Sequence, residues 1–485
     1  MKTFALILVP LLGVAAAAPA DIDALIDAAR AAPGEFAADA MIRIAGTDTI
    51  EKARKIELLE QAFQRASGAQ QPFRRHAVPL RLDGSSTYWN RVYNQDLDAL
   101  SLRLRAIEAM LPLDGRKAAD LFAQIPPLRF PQLKCEDFLV YDPGRFYDVL
   151  GSIANQDPEP AKLLRKYAGA AASPVQLAPM ARVLAAAHGA AHIEDSDFQA
   201  LAASFASAMG KVSGDDRSFT FATSLGKEIQ ALAEECKRRH VTPLPLIEGY
   251  RLYLVVNFSG SRCADDDQLQ TGQQSFGIYT GQPAEMVAAN FIAFFNEKLR
   301  MPPLAPIQEQ EATPARLEGV AAGLHFCEDE PCKKFVEQFH ELVFGASGTP
   351  LPPAERNTPE WQGKLKARLT ALSEWKDPGS AGAAEYYREK SGAFSELLNL
   401  AQNGPNRELV LRAWLDFVKQ NPFQKVNRIE WFLPVNALIG RVGLDPGGLG
   451  KFAEELRKVN DPLIALYADL EAVAPRTPDR ILPLL

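Results

Sequence analysis

Apolar residues recur at every third or fourth position along most of this chain, the spacing of one face of a helix. Within 91–111 the stripe is Leu97, Leu100, Leu104, Ile107 and Leu111, and within 222–240 it is Leu225, Ile229, Leu232 and Cys236. Lys237, Arg238, Arg239 and His240 end the latter segment, where cations complement the helix dipole. Within 329–344 the stripe is Cys332, Phe335, Val336, Phe339, Leu342 and Val343, opened by acidic residues and Pro331 and closed by Gly345. Within 405–420 it is Leu411, Trp414, Leu415 and Val418. The same reading predicts helices near 21–32, 36–45, 50–67, 116–124, 144–155, 158–170, 174–188, 196–209, 243–258, 283–299, 358–375, 381–402, 447–459 and 461–473.

Between these segments stand breakers such as Ala32-Pro33-Gly34, Asp142-Pro143-Gly144, Asp377-Pro378-Gly379 and Asn403-Gly404-Pro405. Proline removes a helix donor and glycine permits the reversed backbone of a helix end, so the 35 prolines read as punctuation between short helices. Period-two alternation long enough for a sheet is almost missing. The expectation is an all-α fold of irregular antiparallel helical hairpins, stacked as an α-solenoid-like array. A closed α/α ring is the alternative. The polar stretch 259–282 and the Gly/Pro-rich stretch 345–357 interrupt the pattern. They divide the chain into an N-terminal helical region (21–258), a polar loop with a middle helical region (259–344), a linker (345–357) and a C-terminal helical region (358–485).

Leu58, Leu59, Ala62, Phe63 and Ala66 in 50–67 resemble a repeat helix of the tetratricopeptide kind. The family's fixed 34-residue period and its recurring Trp, Gly and Tyr positions are not found. The chain as a whole resembles uncharacterised secreted bacterial proteins built from irregular helical hairpins. That resemblance implies no site residues.

Residues 1–20 change the compartment. Lys2, the apolar run Phe4–Val14 and the small residues Ala18 and Ala20 have the layout of a signal peptide cleaved after Ala20. The run is shorter than the roughly 20 apolar residues that span a bilayer. No later segment is apolar for long enough. The expected location is secreted or periplasmic. Cleavage leaves 465 residues, with 52 basic against 60 acidic side chains. That balance gives no electrostatic footprint for nucleic acid. With 47% hydrophobic and 23% charged residues, the bulk is neither disordered nor fibrous.

Export makes disulfides admissible. The five cysteines are Cys135, Cys236, Cys263, Cys327 and Cys332, so at least one thiol is unpaired within a monomer. Cys327 with Cys332 is the preferred bridge, clamping the entry of the 329–344 helix. Cys263 from the polar loop competes as partner of either. Cys236, on an apolar stripe, reads as a buried inert thiol. No metal or cofactor is assigned. His325, Cys327, Cys332 and His340 cannot all hold one ion, because Cys332 and His340 lie roughly 12 Å apart along one helix. His188 and His192, with Glu194, Asp195 and Asp197 after them, read as an interhelix turn. Asp265, Asp266 and Asp267 lack the glycine and glutamate of a calcium loop.

The candidate ligand contacts are Tyr88, Trp89, Asn90, Arg91, Tyr93 and Asn94. Rings can stack on apolar sugar faces while amides and arginine bind hydroxyls. Tyr386-Tyr387-Arg388 is a weaker set of the same kind. No phosphate loop, nucleophile elbow or zinc-protease helix occurs. Two functions follow as expectations. The first is an exported helical scaffold binding a protein or peptide partner on an extended concave surface. The second is a secreted all-α carbohydrate-active enzyme, a glycoside hydrolase or polysaccharide lyase, using carboxylates or tyrosine in a central pocket.

Overall fold

Side-chain caps set many of the helix starts in the computed structural model of this chain. It describes residues 21–77, 96–137, 139–187, 193–264, 285–313, 315–317, 339, 341–344, 349–376, 383–401, 404–419, 446–459 and 461–474. Asp21 accepts from the Asp23 N–H and opens α1 (Ile22–Ala31). Asp98 accepts from Leu100 and Ser101 and opens α4 (Ala99–Met110). Asp114 opens α5 (Gly115–Ala123), Thr358 opens α13 (Pro359–Glu374) and Asp461 opens α17 (Pro462–Val473) in the same way. Each cap satisfies a main-chain donor that the helix itself leaves unpaired.

The remaining helices follow the apolar stripes. They are α2 (Gly34–Ala45), α3 (Lys52–Arg65), α6 (Gly144–Ala154), α7 (Pro160–Ala168), α8 (Pro174–Ala186) and α9 (Asp195–Met209). Then come α10 (Leu225–Arg238), α11 (Leu244–Ser259), α12 (Glu285–Phe294), α14 (Ala383–Leu400), α15 (Gly404–Lys419) and α16 (Pro446–Arg457). The all-α expectation holds. One start differs from the stripe. The segment read as helical from 91 enters its helix only at Ala99, because Asp96 is left-handed (φ 54°) and Asp98 is the cap. Of the segment read as helical over 329–344, only Phe339 and 341–344 are described.

Two small pairings escaped the periodicity. β1 (Arg75–Ala77) pairs antiparallel with β2 (Leu139–Tyr141), and β3 (Ser261–Cys263) pairs in parallel with β4 (Ala315–Leu317). Three residues are too few to display an alternation, and Leu139, Val140 and Tyr141 are all buried. β3 also lies in the stretch read as a polar loop, so that reading fails for 261–263.

The helices pack in succession. α2 and α3 form a hairpin against α4, α4 packs on α6, α6 on α8, α8 on α10 and α10 on α11. α7, α9 and α11 form a second row. Gly249 sets the α9–α11 crossing, since a Cβ there would come within 2.9 Å of the Ala206 carbonyl oxygen. In the C-terminal part α13 and α14 pack on α15, Trp414 stacks on Phe452 of α16, and α16 pairs with α17. The last helix, α17, then packs against α1 and α2. One apolar core therefore runs from Leu25 in α1 to Leu470 in α17. An open array leaves its terminal units in contact with their neighbours alone; here the two ends of the described chain meet.

Candidate functional site

α2 is buried on nearly every side, from Glu35 to Ala45, yet it carries Glu35, Asp39 and Arg43. Fourfold spacing puts these three on one stripe. Asp39 accepts from Arg105 Nη2 at 2.5 Å through Oδ1 and from Tyr467 Oη at 2.6 Å through Oδ2. Arg43 Nη2 donates to Glu471 Oε1 at 2.8 Å and to the Ala474 carbonyl at 2.7 Å. Glu35 is the exception. Its Oε1 has no hydrogen-bond partner, and burial pushes its carboxyl above the usual range.

Arg105 carries this network outward, donating through Nη1 to the main-chain oxygen of Asp96 at 3.3 Å. The Asp96 carboxylate accepts from Arg74 at 2.8 Å and from Arg145 at 2.9 Å. Arg145 also binds Glu108, and Arg74 reaches Asp142 at 3.0 Å. Asp142 Oδ1 in turn accepts from the Gly144 N–H at the start of α6. Asp98, two residues after Asp96, is buried, which raises its carboxyl above the ordinary range; hydrogen bonds from Ser101 and Leu100 oppose this only in part. Burial likewise lowers His76 on β1, against the pull of Asp142.

The network grades from dry to wet. Glu471 and Arg43 have side chains 8% and 7% exposed, whereas Arg74, Asp96, Asp142, Arg145 and Glu108 lie between 23% and 36%. Beside the wet end stand half-buried Phe73 and Phe130 and the Tyr141 ring. Phe130 stacks on Tyr141 at 4.9 Å, and the Arg75 guanidinium lies 4.5 Å over Tyr141. Guanidinium and carboxylate groups gathered beside the β1–β2 pair, with the half-buried Phe73 and Phe130 rings next to them, can hold a polar ligand with an aromatic or aliphatic side.

The sequence candidates Tyr88, Trp89, Asn90, Arg91, Tyr93 and Asn94 lie outside the described residues. Their flanks do not: Arg74 and Asp96, 22 positions apart, are joined by the ion pair above. Tyr386 is a core residue rather than a ligand contact, with its phenol donating to the Trp375 carbonyl at 2.7 Å. His188, His192, His325, His340 and Asp265–Asp267 are outside the described residues. Asp197 is paired with Arg165 at 2.8 Å, and Asp195 stands 3.5 Å from Arg239. Among the described residues no group of three His, Cys, Asp or Glu side chains gathers as a metal site needs.

The cysteine reading needs a correction. Cys263 is bonded to Cys135, not to Cys327 or Cys332. The cause is a buried polar knot. Asp216 Oδ1 accepts from the Leu133 and Ser218 N–H groups, and Arg217 donates to the carbonyls of Cys135 and Asp137. Together they hold 133–137 against 216–218, and the Arg262 guanidinium of β3 donates to the Thr220 hydroxyl just after that segment. Cys327 and Cys332 lie outside the described residues. Cys236 is buried and free, and burial pushes its thiol up to about 11.

Asp39, Arg74, Asp96, Arg105 and Arg145 were not found from the sequence, because they sit on separate elements with no shared spacing. The one local signal was two charges, Asp39 and Arg43, inside an otherwise apolar run. The sequence matches no protein-family model, and comparison with curated proteins and with solved structures gives no match.

Proposed function

We propose that this chain is an exported, non-catalytic helical binding protein that takes a protein or peptide partner on the β1–β2 ribbon. The observation that carries the reading is the half-exposed network of Arg74, Asp96, Arg145 and Glu108 beside Phe73 and Phe130. Paired charges of both signs next to ring faces match the mixed chemistry of a peptide segment. Export is supported by the Cys135–Cys263 bond, which persists in an oxidising compartment, together with the signal layout of residues 1–20. The rival reading is a carbohydrate-active enzyme, a glycoside hydrolase or polysaccharide lyase, with carboxylates or tyrosine in a central pocket; the buried carboxyls Glu35 and Asp39, 1% and 4% exposed, do not offer a sugar such a pair.

Display of random peptides against the chain spanning residues 21–485 tests this reading, with a polysaccharide panel in parallel. The expected result is peptide ligands whose affinity falls about tenfold in Arg145→Ala and Phe130→Ala, the loss typical of one anchoring contact. New reducing ends or unsaturated sugars released from any polysaccharide would overturn it.

A further inference from the structure

Tyr467 of α17 enters a socket built by three residues of α2. Phe36 meets its ring edge-on with centroids 6.1 Å apart, the Arg43 guanidinium lies 5.8 Å from the ring centroid, and Asp39 accepts the phenol proton at 2.6 Å. Positions 36, 39 and 43 share one helix face. Arg105 of α4 closes the far side by its bond to Asp39. One turn beyond Tyr467, Glu471 meets Arg43, which also takes the main-chain oxygen of Ala474 past the end of α17. Apolar burial by Leu463, Ile464, Leu466 and Leu470 would hold many helices here. The polar ladder accepts one register: a slip of a single residue would bury Asp39 and Arg43 against apolar side chains, which is strongly unfavourable.

We infer that the face of α1 and α2 is a helix-docking site that selects a phenol followed four residues later by a carboxylate, and that the chain's own helix α17 occupies it as a separable intramolecular ligand. The arrangement is helix-in-groove recognition with one buried aromatic anchor and one charged register pin. It joins segments 428 positions apart, and α17 is held from a second side by its chain neighbour α16.

The test uses the full chain carrying Arg43→Glu, Glu471→Arg or both, read by hydrogen exchange over 462–473 and over 174–186. Each single change is expected to speed exchange over 462–473 at least tenfold and leave 174–186 unchanged, while the double change restores protection. A labelled peptide with the sequence of residues 461–474 should then bind the Glu471→Arg chain, whose groove is native, and not the Arg43→Glu chain. Unchanged protection in both single variants overturns the polar readout. Equal peptide binding to both, or to neither, does the same. Loss of protection across 174–186 as well would make α17 an inseparable part of the core and overturn its role as a docked ligand.

Discussion

Lys390 Nζ donates to the main-chain oxygen of Trp375 at 2.7 Å, and the Tyr386 phenol donates to the same oxygen. Trp375 closes α13, so the amine of α14 satisfies a carbonyl at the negative end of a helix. It also bonds the Tyr386 oxygen at 3.0 Å and lies 5.0 Å over the Phe417 ring of α15. No carboxylate takes part in these contacts. Burial, and then the charge of Lys376, lower the amine from 10.5 to about 8. Between pH 8 and 10.5 the unfolded chain holds a proton on Lys390 that the folded chain has released. Stability therefore rises with pH across that window, and at pH 7 the buried cation costs stability. Urea unfolding at pH 7, 9 and 10.5 should show this rise in the native chain and a smaller one in Lys390→Met. Identical pH slopes in the two would remove Lys390 as the source.

Three buried tyrosines should respond with opposite signs to one substitution. Tyr250 and Tyr253 have phenols without a hydrogen-bond partner, and burial drives both far up. Tyr467 instead donates to the Asp39 carboxylate. Removing an unsatisfied buried donor costs little or stabilises, whereas losing a bond to a charged group costs about 1.5–3 kcal/mol. Tyr250→Phe and Tyr253→Phe are thus expected to leave the unfolding midpoint unchanged or raised, and Tyr467→Phe to lower it. Thermal denaturation of the three variants beside the native chain decides the ordering.

The Cys135–Cys263 bond closes a span of 128 residues and restrains the unfolded chain more than a short loop would. Replacing both cysteines by serine should cost about 2–4 kcal/mol. Cys236 should resist alkylation in the folded protein, since the thiolate that reacts is suppressed by burial. Peptide mapping after alkylation without reductant should recover Cys135 and Cys263 as one linked pair. Recovering either one alkylated would refute the pairing.

How far the sequence foretold this molecule depends on the range of the interaction involved. The helix read over 405–420 is Gly404–Lys419, because Leu411, Trp414, Leu415 and Val418 repeat within one segment and need no distant partner to be noticed. The start of α4 was misplaced, since Leu97 fits the apolar spacing while Asp98 acts as the cap. The disulfide was illegible for a different reason. Nothing local tells Cys263 that Arg217 and Asp216 hold the Cys135 segment beside it. The candidate site shared that difficulty: Arg74, Asp96 and Arg145 meet only after α4, α6 and the β1–β2 pair have packed. Asp39 was visible as a charge in an apolar run, but its meaning came from Tyr467, at the other end of the chain.

His240 lies just past the end of α10 in the left-handed region, with φ at 55°. The Val241 N–H returns to the Cys236 carbonyl at 2.8 Å, the long bond of a glycine-type helix terminus. A side chain in that conformation brings its Cβ against the following carbonyl, at a cost of roughly 1–2 kcal/mol that glycine avoids. Glycine also gives the unfolded chain more freedom, which offsets part of the gain. The expected net effect of His240→Gly is a stabilisation of about 0.5–1 kcal/mol, from the difference between these terms. His240→Ala keeps the Cβ and loses only the ring, so it should give no such gain. Chemical denaturation of both variants separates backbone relief from any role of the imidazole. A gain shared equally by alanine and glycine would place the cause in the ring rather than in φ.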